Sequence, residues 1–244
     1  MQLQFVGCGD ALGSGGRFNT CFHVVGEETN FLIDCGASSL VGLKRWGIER
    51  NSIDVILVTH FHADHFGGIP FFMLDAQFGK RERPLVIAGP PGIEQRYAQA
   101  METAFEGSTK EPPRFTLKLM ALGPERAHAI GSLAVTPFPV VHGYSGGPFF
   151  AYRVEVEGRV IAYSGDTEWT DNLIEAGRNA DLFVVEAYFN DRKIKHHLDL
   201  RTLETNLPEI KPRKLILTHM SEDMLAQRHG VRHLTAEDGM IVRL

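Results

Sequence analysis

Three histidines and an aspartate fall within six residues in His60-Phe61-His62-Ala63-Asp64-His65, immediately after the apolar run that starts at Ile53. Imidazole nitrogens and carboxylate oxygens crowded this closely at the end of a hydrophobic stretch are the donor types of a metal site. Three later positions share that placement. His142 follows Val140-Val141, Asp166 follows Ile161 to Tyr163 and Ser164-Gly165, and His219 follows Leu215 to Thr218. A lone His142 or His219 would be as readily explained as an ordinary polar residue, but the cluster at 60–65 gives both a partner set. The seven donors His60, His62, Asp64, His65, His142, Asp166 and His219 exceed what one four-coordinate zinc uses. Two metals about 3.5–4 Å apart, sharing a carboxylate and a bridging hydroxide, would use the whole set. The chemistry such a pair supports is hydrolysis without a serine or cysteine nucleophile.

Those donors need rigid mounts. Residues 53–59 are almost continuously apolar, the pattern of a strand buried on both faces, so the first cluster sits where an interior strand stops. Strands are also expected at 2–6, 20–26 and 30–34, the last ending in Asp34-Cys35-Gly36; together these form an opening meander. Asp34 reads as a turn residue with a possible place near the metals. A helix from Gly67-Gly68 to about Gly79, a strand at 85–88, a helix at 92–105 and strands at 115–120 and 133–138 follow, with a loop between the last two. Gly143-Tyr144-Ser145-Gly146-Gly147-Pro148 is a second loop. Strands at 149–156 and 159–163 join at Glu157-Gly158 as a hairpin, and a strand at 182–186 ends in Glu186. Helices are expected at 170–177, 199–209 and 222–229. Strands alternating with helices after a strand-rich first half point to a layered α/β sandwich.

Composition narrows the function classes. With 244 residues and 43% hydrophobic side chains, the chain can bury a large core. No linker or repeat divides it, so one domain over residues 1–244 is expected. The net charge of −5 offers no general attraction for polyanions. The short basic runs Lys80-Arg81-Glu82-Arg83, Arg192-Lys193-Ile194-Lys195 and Lys211-Pro212-Arg213-Lys214 read as solvated loops. Neither a signal peptide nor a membrane span is visible, which implies a cytoplasmic protein with no membrane partner. Cys8, Cys21 and Cys35 lack paired spacing and read as reduced core thiols. The glycine-rich turn at 7–16 lacks the Gly-Lys-Ser/Thr ending of a phosphate loop.

Taken in order, His-x-His-x-Asp-His, a distant histidine, an aspartate and a final histidine resemble the metallo-β-lactamase superfamily. Phe31-Leu32-Ile33-Asp34-Cys35-Gly36, Ser164-Gly165-Asp166-Thr167, Glu186-Ala187 and Leu217-Thr218-His219-Met220-Ser221 resemble its ribonuclease Z branch. The resemblance implies an αββα sandwich, two mixed β-sheets flanked by helices, with the metals at one edge. It implies two Zn2+, although nitrogen and oxygen donors also accept Mn2+ or Fe2+. His60, His62 and His142 would hold one metal and Asp64, His65 and His219 the other, with Asp166 bridging and Asp64 also orienting the nucleophile. His197 matches the position of the branch's catalytic histidine, with Glu186 orienting it, while the adjacent His196 is an alternative. Homodimerisation is the branch's habit, though no seam for it is legible.

Two departures bear on substrate. Branch members that process tRNA precursors carry a long arm between the third histidine and the aspartate; here only 23 residues separate His142 from Asp166. The branch's His-Glu-Ala-Thr is altered as well, with Val185 before Glu186 and Tyr188 after Ala187. A long structured tRNA is therefore a doubtful substrate, and the expected activity is hydrolysis of a phosphodiester in a small molecule or short nucleic acid. The alternatives are a lactonase or other carboxylic-ester hydrolase, in which Tyr144 or Tyr188 would assist at the carbonyl, a mononuclear iron dioxygenase, and a non-catalytic metal-stabilised binding protein. Di-iron flavoproteins of the superfamily usually have glutamate at the position of His62.

Overall fold

The computed structural model describes Met1–Leu244 throughout. The chain first builds β1 (Gln2–Gly7), β2 (Cys21–Val25) and β3 (Asn30–Ile33), then α1 (Ser39–Arg45), β4 (Val55–Leu57), α2 (Ala63–Phe66), α3 (Ile69–Phe78), β5 (Leu85–Gly89), α4 (Ile93–Ala104) and β6 (Leu117–Ala121). It continues through β7 (His128–Ile130), β8 (Leu133–Val140), β9 (Phe149–Val156), β10 (Arg159–Tyr163), α5 (Asn172–Gly177), β11 (Leu182–Glu186), α6 (Leu200–Ile210), β12 (Leu215–Thr218), α7 (Glu222–Gln227) and β13 (Leu234–Thr235). It closes with β14 (Ile241–Arg243). Two seven-stranded sheets result, ordered β14-β1-β2-β3-β4-β5-β6 and β13-β12-β11-β10-β9-β8-β7. Each is antiparallel in one half and parallel in the other.

Alternating side chains of the facing strands fill the space between the sheets. Phe5, Phe22, Phe31, Phe150, Tyr152 and Tyr163 share that core. Phe22 meets Tyr163 edge-on at 5.0 Å between centroids, an arrangement the ring quadrupoles favour. The outer faces carry the helices: Leu43, Phe72, Met73, Ile93 and Met101 cover the first sheet. Leu173, Leu203, Ile210 and Met224 cover the second. This is the αββα sandwich with two mixed sheets expected from the sequence. β4 is buried on both faces, as its unbroken apolar run requires.

Three readings change. The stretch between the strands at 117–121 and 133–140 contains β7, an edge strand of only three residues paired to β8. The helix expected after Gly67-Gly68 is α3, with Pro70 in its first turn, but an additional four-residue helix, α2, precedes it and begins inside the histidine motif. Arg81 is buried, not solvated. Its guanidinium donates to the carbonyls of Ile53, Pro84, Arg83 and Arg50 and so stitches the entries of β4 and β5 together.

The site depends on bonds that cross from sheet to sheet. The Phe150 amide donates to the Thr59 carbonyl at 3.1 Å and the Tyr152 hydroxyl to the Val58 carbonyl at 2.6 Å. The His219 amide donates to the Cys8 carbonyl at 3.2 Å. They hold the C-terminal ends of β4 and β12 at one rim, where open α/β sheets place their ligands. Tyr152→Phe strands the buried Val58 carbonyl, a loss of about 1–3 kcal/mol. Thermal unfolding followed by calorimetry should therefore show Tm lowered by several degrees, since about 1 kcal/mol shifts a domain of this size by roughly 2–4 °C.

Candidate metal centre

The donors arrive on the ends of β4, β8, β10 and β12, and each turn that presents them is shaped for the purpose. After β3, Asp34 takes a left-handed backbone (φ 59) and so does His219 after β12 (φ 54), a conformation costly for a residue with a Cβ. Beyond Asp34 the turn clasps the histidine motif. Cys35 N donates to the His65 carbonyl at 2.7 Å, Ala37 N to Ala63 at 3.0 Å, and Gly68 N to Cys35 at 2.9 Å. A Cβ on Gly36 would collide with the Asp64 carbonyl oxygen, so only glycine permits this approach.

Asp34 is fully buried and orders two ligands from behind. Its Oδ2 accepts from His65 Nδ1 at 2.7 Å, and its oxygens accept from the Thr59 amide at 2.7 Å and the Thr59 hydroxyl at 2.8 Å. The Thr59 oxygen in turn accepts from His60 Nδ1 at 3.1 Å. Both imidazoles are thereby fixed with Nε2 lone pairs facing the site, the role outer carboxylates play around metal-binding histidines. His142 is fixed in the same way, with Nδ1 donating to the His196 carbonyl at 2.7 Å.

Two groups of donors result. His60, His62 and His142 form one, and Asp64, His65, Asp166 and His219 the other, each with its donor atoms within 4.8 Å of one another. Asp166 reaches both. Its Oδ1 lies 3.2 Å from His65 Nε2, and its Oδ2 lies 3.2 Å from His219 Nε2 and 3.6 Å from His142 Nε2. Asp64 Oδ2 is 3.2 Å from His219 Nε2.

The fit to cations is visible in what these atoms fail to do. His60 Nε2, His65 Nε2 and Asp166 Oδ1 are buried without hydrogen-bond partners. His62 Nδ1 and His142 Nε2 stand 3.0 Å apart, yet the proton of His142 is engaged at Nδ1. Buried polar atoms are rarely left unpaired, and their convergence on common points is the arrangement of a ligand cage. The site is a metal-binding centre.

Charge supports that reading. Burial, reinforced by neighbouring imidazoles, holds His60, His62 and His142 below the ordinary histidine value, so all three are neutral donors. Burial alone would raise the carboxyls of Asp64 and Asp166, but His65 and His219 outweigh it and hold both below the usual range. For His65, burial is likewise outweighed by Asp166, Asp64 and Asp34, which raise it.

Glu186 and His197 stand beside the cage. Glu186 is fully buried at the end of β11; its Oε2 accepts from the Thr167 and Leu198 amides at 3.0 and 3.1 Å, and its Oε1 faces His197 Nδ1 at 2.5 Å. The His197 ring stacks on Tyr188 at 4.4 Å and lies nearly parallel to His219 at 5.9 Å. His196 turns elsewhere, its ring edge-to-face with Tyr144 at 4.6 Å, and contributes to the site only its carbonyl. All nine sequence-named site residues therefore meet at one rim. The residues whose part was least legible are Thr59 and Tyr188; only the order of Thr59 beside His60, and the replacement of the branch's threonine by Tyr188, hinted at either.

A model of the family described as anti-Pycsar protein Apyc1 matches residues 1–239. The chain belongs to this family. It is also similar to ribonuclease Z of Agathobacter rectalis, 26% identical over an alignment covering 89% of this chain and 80% of that protein. Among solved structures, human tRNase Z, short form, superposes with a TM-score of 0.79 at 24% identity, covering 100% of this chain and 99% of that one. The metallo-β-lactamase fold protein YhfI of Bacillus subtilis gives 0.81 at 18% identity, covering 99% and 98%. The Apyc1-family chain thus has the metallo-β-lactamase fold and is ribonuclease Z-like.

Asp34→Asn removes the charge that holds His65 Nδ1 and, through Thr59, His60. Competition with a chromogenic chelator should show metal affinity reduced about 10–100-fold, with both sheets intact by circular dichroism; unchanged affinity would show that Asp34 does not order the ligands.

Proposed function

We propose that the chain, acting as one unit over residues 1–244, is a metal-dependent hydrolase that cleaves a phosphodiester of a small molecule or short nucleic acid. The observation that carries the reading is the Glu186–His197 pair beside the ligand cage. A metal site kept for folding alone has no use for a buried carboxylate that fixes an imidazole at its edge, whereas hydrolysis needs a proton donor there. Membership in a family described as anti-Pycsar supports a role against Pycsar through such cleavage, and similarity to ribonuclease Z supports phosphodiester chemistry.

In this reading His60, His62 and His142 would hold one Zn2+ and Asp64, His65 and His219 a second, with Asp166 within reach of both groups of donors. Two cations so held would make a bound water nucleophilic near neutral pH and offset charge developing on the phosphoryl oxygens. The chain's own side chains do the rest. Asp64, kept ionised by His65 and His219, accepts a hydrogen bond from the attacking water and orients it. His197 has Nδ1 committed to Glu186, which leaves Nε2 to carry the proton for the departing oxygen. Burial lowers the His197 pKa, but the Glu186 carboxylate outweighs it and raises the value above that of an ordinary histidine, which favours the protonated ring.

The direct test compares bis-p-nitrophenyl phosphate with a lactone and an aryl carboxylate ester on metal-replete enzyme, with Asp166→Ala as blank. Phosphodiester turnover is expected; turnover of the carboxylic esters alone would overturn the proposal. His197→Ala should retain its metals by elemental analysis yet lose about 10²–10⁴-fold in turnover. An acid with a raised pKa is lost as pH rises through that value. Removal of the carboxylate that raises it, in Glu186→Gln, should therefore move the alkaline limb of the kcat profile to lower pH. A limb that stays in place would exclude His197 as the acid.

A further inference from the structure

Between β8 and β9 the chain makes a short loop, Gly143–Pro148, and what that loop presents is one aromatic ring. Tyr144 is 83% exposed, yet it is not loosely held. Gly143 and Gly147 both lie so close to the Phe149 ring that a Cβ at either would press on it. Phe149 itself packs against His142, His60 and His62 at 5.3, 5.7 and 5.9 Å between centroids. The loop is therefore seated on the metal centre. The segment leading to His197 also grips the ring: His196 meets it edge-to-face at 4.6 Å, and Lys195 Nζ donates to its hydroxyl at 3.2 Å. The same segment accepts the His142 proton at the His196 carbonyl.

An ordered aromatic ring, exposed to solvent at the rim of a site flanked by a metal ligand and a proton donor, has the properties of a stacking platform. Its ring is pre-positioned, so little conformational freedom is lost when a planar group settles on it. The single lysine beside it supplies a positive charge on a chain whose net charge is −5, which favours an anionic diester at this spot. A short substrate has no distant contacts from which to draw affinity, so recognition must come from residues this close to the metals.

We propose that Tyr144, steadied by His196 and Lys195, is the specificity-determining residue of the site, and that it stacks the planar aromatic part of a phosphodiester while the phosphate faces the metal centre. The proposal rests on the phosphodiesterase reading above. It makes the preferred substrate a diester whose retained alcohol, not the leaving group, bears the planar aromatic ring, and it assigns that selectivity to the rim loop.

The test uses the metal-replete full chain and two diesters with the same leaving group, p-nitrophenyl thymidine 5′-phosphate and methyl p-nitrophenyl phosphate, so that only the retained alcohol differs. Wild type should prefer the thymidine ester. In Tyr144→Ala the ratio of the two kcat/KM values should fall on the order of tenfold, mainly through KM for the thymidine ester, as expected for loss of one stacked ring. Tyr144→Trp should restore the ratio, and Lys195→Met should lower it by less than Tyr144→Ala does. A ratio unchanged in Tyr144→Ala would overturn the platform while leaving the hydrolase reading in place. Failure of wild type to cleave either diester would overturn the hydrolase reading and the platform with it. Because the ring is exposed, Tm of the variants is expected to match wild type; should Tyr144→Ala disturb the loop, the Tyr144→Trp ratio still decides between stacking and a purely structural clasp.

Discussion

A carboxylate almost entirely shut off from water sits where two groups of imidazoles meet, and the rest of the molecule is arranged around that fact. Asp166 follows β10 with one oxygen towards His65 and the other towards His219 and His142. Such a group, together with unpaired nitrogens on His60 and His65, would be costly to bury without positive charge among the donors. Bringing its partners together requires the two sheets to be stitched at one rim, because His60, His62 and His65 follow a strand of the first sheet and His142, Asp166 and His219 follow strands of the second. The Tyr152, Phe150 and His219 bonds between sheets serve that end. Asp34 and Thr59 then fix which nitrogen each imidazole presents. The order of dependence runs from the inter-sheet core to the strand ends, and from there to ring orientation.

Much of this was readable in the chain because metal donors are local in sequence and chemically unmistakable. His60 to His65 sit beyond an apolar run whose burial on both faces follows from its composition, and the same logic placed Asp166, Glu186 and His219 at strand ends. What escaped was set by contacts distant in sequence. β14 exists because β1 offers it an edge, and β7 because β8 does; neither has a pattern strong enough to declare itself in three residues. The seven-residue α1 has few apolar positions with which to mark a face. Arg81 looked like one charge in a solvated run, but four carbonyls contributed by separate turns bury it. For His196 and His197 the backbone decided: His196 adopts φ 73, which turns its ring to Tyr144 and leaves His197 to Glu186.

Function divides along the same line. The fold is shared with solved proteins that are less than a quarter identical, so the fold by itself does not name a substrate. Substrate selection has to reside in what surrounds the cage, and there this chain departs from the ribonuclease Z pattern at two places that adjoin. A six-residue loop, Gly143–Pro148, follows His142, and Tyr188 stands after Glu186-Ala187, where its ring supports His197.

The most direct measurement of the central claim is the number of divalent ions the donor set holds. Chelator-stripped protein titrated with Zn2+ and followed by native mass spectrometry should take up two ions per chain, because Asp166 serves both groups of donors and neither group is closed without it. Saturation at one ion, or uptake that persists unchanged after His60, His62 and His142 are all replaced, would contradict the account.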